Sequence, residues 1–247
     1  MSQQKYKITL CYEGTKYRGW QRLKQTPETI QGKIESVLSR IFDMPIQIDG
    51  ASRTDAGVHA RAQVASFTAE KRSCEQLKQE LNRFLPDDIA IVAVEHVASD
   101  FHARFHAKKK TYHYRIWKAD YPPVFQRKFV TVLGGELSIE RMQEAIPLLV
   151  GKRDFKSFCT DKTKKSTIRD LESIEINETP EEIIIAFTGT GFLYNMVRII
   201  VGTLIEIGLG QRDIQSIEAI FKSNTRQLAG ETAPANGLCL EKIYYEM

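Results

Sequence analysis

Residues 46–69, I-Q-I-D-G-A-S-R-T-D-A-G-V-H-A-R-A-Q-V-A-S-F-T-A, decide how the chain folds. Apolar and small residues alternate over 46–52 and 62–69, which reads as two strands. Between them, Gly50 to Ala60 is too polar for a core yet is flanked by residues that must be core. Loops held by rigid strands are where functional side chains gather. Working outward, residues 5–12 (K-Y-K-I-T-L-C-Y) alternate as a strand. Thr26-Pro27 then opens a helix with proline at a tolerated first-turn position, and Ile30, Ile34, Val37, Leu38 and Ile41 form its apolar stripe. After the central pair, Ser73 and Gln76 have capping-box spacing for a helix through Leu77, Leu81 and Leu85 to Pro86. Ile89 to Val97 is a β-prone run. The first half therefore reads β-α-β-β-α-β.

The second half repeats that order without repeating the sequence. Residues 109–118 (K-K-T-Y-H-Y-R-I-W-K) form a strand, and Ser138 to Leu149 a helix whose last turn Pro147 weakens. Residues 169–177 and 182–189 form a hairpin turning at Glu178 to Glu181. Helices follow at Leu193–Ile207 and Asp213–Lys222, and a strand at Leu238–Tyr245. The expected class is α+β: two ferredoxin-like (βαββαβ-type) halves, residues 1–104 and 105–247, with largely antiparallel sheets flanking a central cleft as the natural ligand site.

Composition sets bounds on function. A formal charge of +4, from 35 basic and 31 acidic residues, does not by itself announce a nucleic-acid partner. Cysteines 11, 74, 159 and 239 contain no C-x-x-C pair and read as reduced thiols of a cytosolic protein. The start Met-Ser-Gln-Gln-Lys has no apolar signal core. The longest apolar stretch, Met196 to Leu209, is interrupted by Arg198 and Glu206 and is too short to span a bilayer. A cytoplasmic location is expected. There is no phosphate-binding G-x-x-x-x-G-K-[ST] loop, and the near matches to G-x-G-x-x-G at Gly189 and Gly208 lack the third glycine. No H-E-x-x-H occurs. Nucleotide hydrolysis, hydride transfer and zinc chemistry are poorly supported.

Asp55 lies two residues from Arg53 and four from His59. On spacing alone two readings stand: an Asx-turn in which Gly57 supplies a positive φ, or a functional carboxylate. The run R-T-D-A-G-V-H-A resembles the signature of the TruA family of tRNA pseudouridine synthases. Four further segments resemble that family in the same order: Tyr17 to Gln21 (Y-R-G-W-Q), Asp100 to Phe105 (D-F-H-A-R-F), Lys110 to Arg115 (K-T-Y-H-Y-R) and Met196 to Gly202 (M-V-R-I-I-V-G). The resemblance spans nearly the whole chain. The lysine-rich stretch Thr160 to Thr167 (T-D-K-T-K-K-S-T) departs from it.

The resemblance implies an isomerase that moves uracil from an N1 to a C5 linkage on the same ribose, at tRNA positions 38, 39 and 40 in the anticodon stem-loop. Substrate and product are isomers, so no cofactor and no metal is demanded. It implies Asp55 as the catalytic nucleophile, which must be ionised to act. It implies Arg198 as the guanidinium that orients that carboxylate. On its own, Arg198 reads either as a snorkelling side chain or as a buried charge needing a partner, and its apolar neighbours favour the second. Tyr112 matches the active-site tyrosine, with a face to stack and a hydroxyl to bond. Without the family match it is a half-buried strand aromatic, sharing its face with Tyr114. Arg53 matches the residue that fills the gap left by an extruded base. His59 is read as structural. The family also implies tRNA as partner, homodimer formation and no membrane association.

Between His102 and Lys118 there are six Lys or Arg and no Asp or Glu, interleaved with Phe105, Tyr112, Tyr114 and Trp117. Basic groups bind phosphate and aromatics stack on bases, a mixture suited to folded RNA. A second basic cluster, Lys152 to Lys165, reads as a mobile surface loop. Two alternatives use the same residues differently. A non-catalytic RNA-binding protein would need the basic stretch but not Asp55. A nuclease using Asp55 and His59 would call for a metal or a second acidic group.

Overall fold

The computed structural model describes residues 3–161, 163 and 166–246. Two compact units emerge: one runs to Lys108 and resumes at Cys239, and the other is Lys109–Leu238. In the first unit β1 (Gln3–Tyr12), α1 (Ile30–Ile41), β2 (Asp49–Gly50), β3 (His59–Glu70), α2 (Cys74–Phe84) and β4 (Ile89–Val97) follow in the β-α-β-β-α-β order read from the sequence. The second unit contains β5 (Lys109–Trp117), β6 (Thr131–Val132), α3 (Ile139–Ala145), β7 (Gly151–Asp154), β8 (Ile168–Glu178), β9 (Glu182–Gly189), α4 (Met196–Gly208) and α5 (Ser216–Ser223). The last strand, β10 (Leu238–Tyr244), returns to the first unit. The class is mixed α+β with mostly antiparallel pairing, as expected.

In the first unit β1 pairs antiparallel with both β3 and β4. Its period-2 pattern buries Tyr6, Ile8, Leu10 and Tyr12. Ile30, Ile34 and Leu38 of α1, and Leu77 and Leu81 of α2, are fully buried too. Each such side chain contributes about 1.5–3 kcal/mol relative to exposure. Short β2 lies antiparallel on β3, and β10 runs parallel to β3 with Cys239 opposite His59 and Leu240 opposite Ala60. In the second unit β9 lies between β5 and β8, and β7 pairs with β8, all antiparallel. Helix α4 is buried all round except at Arg198 and Glu206. Gly202 permits this closeness, since a Cβ there would sit 1.8 Å from the Glu231 carbonyl oxygen. Among the described residues no helix is long and apolar enough to cross a membrane.

Four expectations need correction. Helix α1 starts at Ile30 rather than at Thr26-Pro27, because Thr29 is extended and its hydroxyl accepts from Gly32 N–H. The strand expected over 46–52 shrinks to Asp49–Gly50. Buried side chains of α1 take its backbone instead: Ile48 N–H donates to Glu35 Oε1 at 3.0 Å, and Gln31 Nε2 donates to the Ile48 carbonyl at 3.1 Å. Helices α4 and α5 start three residues late, at Met196 and Ser216. The Lys152–Lys165 segment is not a surface loop in its first half. Residues 151–154 form β7, a 3-10 turn covers Lys156–Phe158, and Phe155, Ser157 and Phe158 are fully buried. Among the described residues Lys152 and Lys156 are exposed while Phe155 and Phe158 are buried. Lys162, Lys164 and Lys165 lie outside the described residues.

Candidate active site

Asp55 sits on a loop that the first unit fixes at many points. Val58 N–H donates to the Asp55 carbonyl at 3.2 Å, closing a turn in which Gly57 has φ +80°. The left-handed glycine foreseen for an Asx-turn is thus present, in a turn closed by backbone. One residue earlier, Thr54 is buried and its hydroxyl shares a 2.7 Å hydrogen bond with the Tyr12 hydroxyl. Gln63, fully buried on β3, ties the other end. Its Nε2 donates to the Ser52 carbonyl at 2.7 Å, and its Oε1 accepts from Ser52 N–H at 3.2 Å. Bonds of this kind, buried and satisfied on both sides, hold a loop in one conformation.

The Tyr17–Gln21 segment lies directly against this loop. Trp20 N–H donates to the Thr54 carbonyl at 3.0 Å, and Gly57 N–H to the Tyr17 carbonyl at 3.3 Å. Gly19 has φ +92°, and a Cβ there would meet the Thr54 carbonyl oxygen at 2.7 Å and Ala56 N at 3.1 Å. Only glycine suits both the backbone angle and the gap. Asp55 is half-buried and Arg53 exposed. His59 is 3% exposed and its Nδ1 accepts from Gly14 N–H at 3.0 Å, a structural use of the ring. Tyr12, Gly14 and Gln63 were not singled out from the sequence. A glutamine inside an otherwise apolar strand was the signal available for Gln63.

In the second unit Tyr112 and Tyr114 occupy one face of β5, with different surroundings. Tyr114 is fully buried; its hydroxyl donates to the Pro234 carbonyl at 2.9 Å and lies 2.7 Å from Thr131 Oγ1. Burial pushes its pKa up to about 12, against the opposing effects of the Thr131 hydrogen bond and the Arg198 charge. Tyr112 is 5% exposed and meets the Phe192 ring edge-on at 5.2 Å. Arg198 is half-buried in the first turn of α4. Its Nε donates to the Ala233 carbonyl at 2.7 Å, and its Nη1 to Asn195 Oδ1 at 3.0 Å. A cation in the first turn opposes the helix dipole by several tenths of a kcal/mol, and α4 has no acidic residue there.

The basic and aromatic stretch is less available than its sequence implies. Tyr112, Tyr114 and Trp117 are buried; of the four aromatics only Phe105 is well exposed. Arg115 forms a two-bond pair with Glu182, and Lys109 and Lys118 meet Glu172 and Glu178. Arg104, Lys108 and Lys118 remain exposed. Among the described residues no three of His, Cys, Asp and Glu gather as a metal site would require.

A model of the family described as tRNA pseudouridine synthase matches residues 9–106 and 145–246. The chain belongs to the tRNA pseudouridine synthase family. It is 45% identical over 242 residues to tRNA pseudouridine synthase A 2 of Bacillus cereus, covering 97% of this chain and 99% of that protein. It is 46% identical over 242 residues to tRNA pseudouridine synthase A of a Bacillus species, with the same coverage. It is 43% identical over 246 residues to tRNA pseudouridine synthase A of Geobacillus kaustophilus, covering 98% of this chain and 95% of that protein. As a member of the tRNA pseudouridine synthase family the chain is an isomerase. Arg53, Asp55 and Arg198 fall inside the matched segments, and Tyr112 falls between them.

Proposed function

We propose that this protein converts uridine to pseudouridine in the anticodon stem-loop of tRNA, at positions 38, 39 and 40, with ionised Asp55 as the nucleophile. The observation that carries the reading is the rigid hold on the Asp55 loop. Tyr12, Gln63, Gly19 and Trp20 all brace it, in a chain of this family. A nucleophile gains most when its position is fixed before substrate arrives. The reaction breaks the N1–C1′ bond, forms C5–C1′, releases the C5 hydrogen as a proton and takes up a proton at N1. It balances without redox partner, phosphate donor, cofactor or metal.

Arg198 orients the carboxylate in this scheme. The guanidinium is held on two edges, by the Ala233 carbonyl and Asn195 Oδ1, which supports a role in presenting a fixed cation to an anion. Tyr112 stacks on the uracil or passes a proton, and exposed Arg53 fills the space left by the extruded base. Two ferredoxin-like halves, residues 1–104 with the R-T-D loop and residues 105–247 completing the cleft, belong to the same proposal. The element order of the first unit supports it for the first half. A cytoplasmic homodimer acting on tRNA completes it.

The test uses tRNA transcripts tritiated at uracil C5. Isomerisation releases tritium to water at one equivalent per modified site. Binding without release would favour a non-catalytic RNA-binding protein, and shortened RNA would favour a nuclease. Mapping pseudouridine in the product tRNA checks the three positions.

A further inference from the structure

Helix α4 is entered through an unusual residue. Asn195 has φ +61° and ψ +5°, the left-handed region that strains residues bearing a Cβ. It stands at the N-cap, where an asparagine side chain ordinarily accepts from an N–H of the first turn. It makes no such bond here. Oδ1 instead accepts from Arg198 Nη1 at 3.0 Å, and Nδ2 donates to Thr160 Oγ1 at 2.9 Å. The amide's orientation follows from chemistry, because a guanidinium only donates and must meet the oxygen. The Ala233 carbonyl accepts from Arg198 Nε at 2.7 Å, on another edge of the same plane. Two acceptors on different edges fix both the direction and the in-plane rotation of the group. In return Ala233 N–H donates to the Arg198 carbonyl at 3.1 Å, so both partners belong to one braced unit.

We propose that Asn195 is a positioning residue for the isomerisation. It holds the Arg198 guanidinium in the orientation that the reacting carboxylate requires, and Thr160 holds the amide in turn. The inference rests on the role given to Arg198 above. The left-handed backbone is what lets one side chain reach forward to residue 198 and back to residue 160.

Asn195→Gly is the informative variant. Glycine takes this φ without strain, so the entry to α4 survives while the amide is lost. Single-turnover tritium release from C5-tritiated tRNA should fall about tenfold, the usual scale for a hydrogen bond to a charged group. The tRNA dissociation constant and the melting temperature should stay close to wild type. In an Arg198→Lys background the same glycine should change the rate by less than about twofold, because the group it positions is gone. A wild-type rate for Asn195→Gly overturns the proposal. So does an undiminished tenfold loss in the lysine background, or a loss that follows a lowered melting temperature. Arg198→Lys with an unaltered rate would instead remove the reading of Arg198 itself. The lysine variant alone thus separates the two failures.

Discussion

Replacing Gly19 with alanine should damage the Asp55 loop from outside, without touching any residue expected to meet RNA. Two costs add. At φ +92° an alanine is strained by about 1–2 kcal/mol. Its Cβ would also stand 2.7 Å from the Thr54 carbonyl oxygen and 3.1 Å from the Asp55 carbonyl carbon. Ordinary contact needs roughly half an ångström more, and both neighbours are backbone, so the loop itself must move. Overpacking of this kind costs about 1–3 kcal/mol. A total of about 3 kcal/mol corresponds to a fall in Tm of roughly 6–12 °C for a chain of this size. A misplacement of a full ångström costs on the order of 100-fold in rate, so half that should cost about tenfold. Differential scanning calorimetry and single-turnover tritium release measure the two. Gly134→Ala is the control: a Cβ there meets nothing within 4 Å, and its effect should stay within about 0.5 kcal/mol. If Gly19→Ala melts with the control and keeps the wild-type rate, the contact between residues 17–21 and the loop does not hold Asp55 in place.

Asp55→Asn should leave the fold and tRNA binding intact and abolish tritium release; measurable turnover would exclude this carboxylate as the nucleophile. Tyr112→Phe should slow single turnover if its hydroxyl moves a proton, whereas an unaltered rate would leave stacking alone. Tyr114 has its pKa raised from 10 to about 12 by burial. Above pH 10 the unfolded chain ionises this group and the folded one does not. Its stabilisation is therefore complete below pH 10 and is lost as pH rises towards 12, by up to about 3 kcal/mol. Guanidinium midpoints at pH 9 and pH 11.5 should converge in Tyr114→Phe relative to wild type. An equal drop in both proteins would refute the assignment, since Tyr6, Tyr17 and Tyr245 are also raised and would then account for all of it.

Periodicity carried most of the first unit because its elements are simple. The β1 alternation, the α1 stripe and the Ser73 cap each satisfy one local rule, and each appears in place. Two of the failures are tertiary. Residues 46–48 have a strand's pattern, but Gln31 and Glu35 capture the backbone that a strand would use. Residues 152–158 were read by their charge, and charge is silent about Phe155 and Phe158, which enter the core between the lysines. Strands β6 and β7 are too short to show a period. For the candidate site, the five motifs singled out the residues expected to act, and their supports were hidden. Ala233 holds Arg198 from 35 positions away, and Gln63 reaches Ser52 across β3's own loop. Hydrogen bonds at such separations leave no pattern in a single sequence. Burial was likewise invisible along 109–118, where Tyr114 and Trp117 belong to the core.

The parallel pairing of β10 with β3 has a consequence during synthesis. Residues 239 and 240 dock beside His59 and Ala60, immediately after the Asp55 loop. The Lys108 N–H and the Tyr245 hydroxyl then lock the returning chain, donating to the Tyr244 and Ala103 carbonyls. A nascent chain therefore waits, with an open strand edge next to its Asp55 loop, until the ribosome has delivered some 130 further residues of the second unit, Lys109–Leu238. A product that stops short of residue 238 keeps its Asp55 loop and lacks the strand that pairs with the residues just after it, so premature termination should yield chains prone to edge-to-edge association.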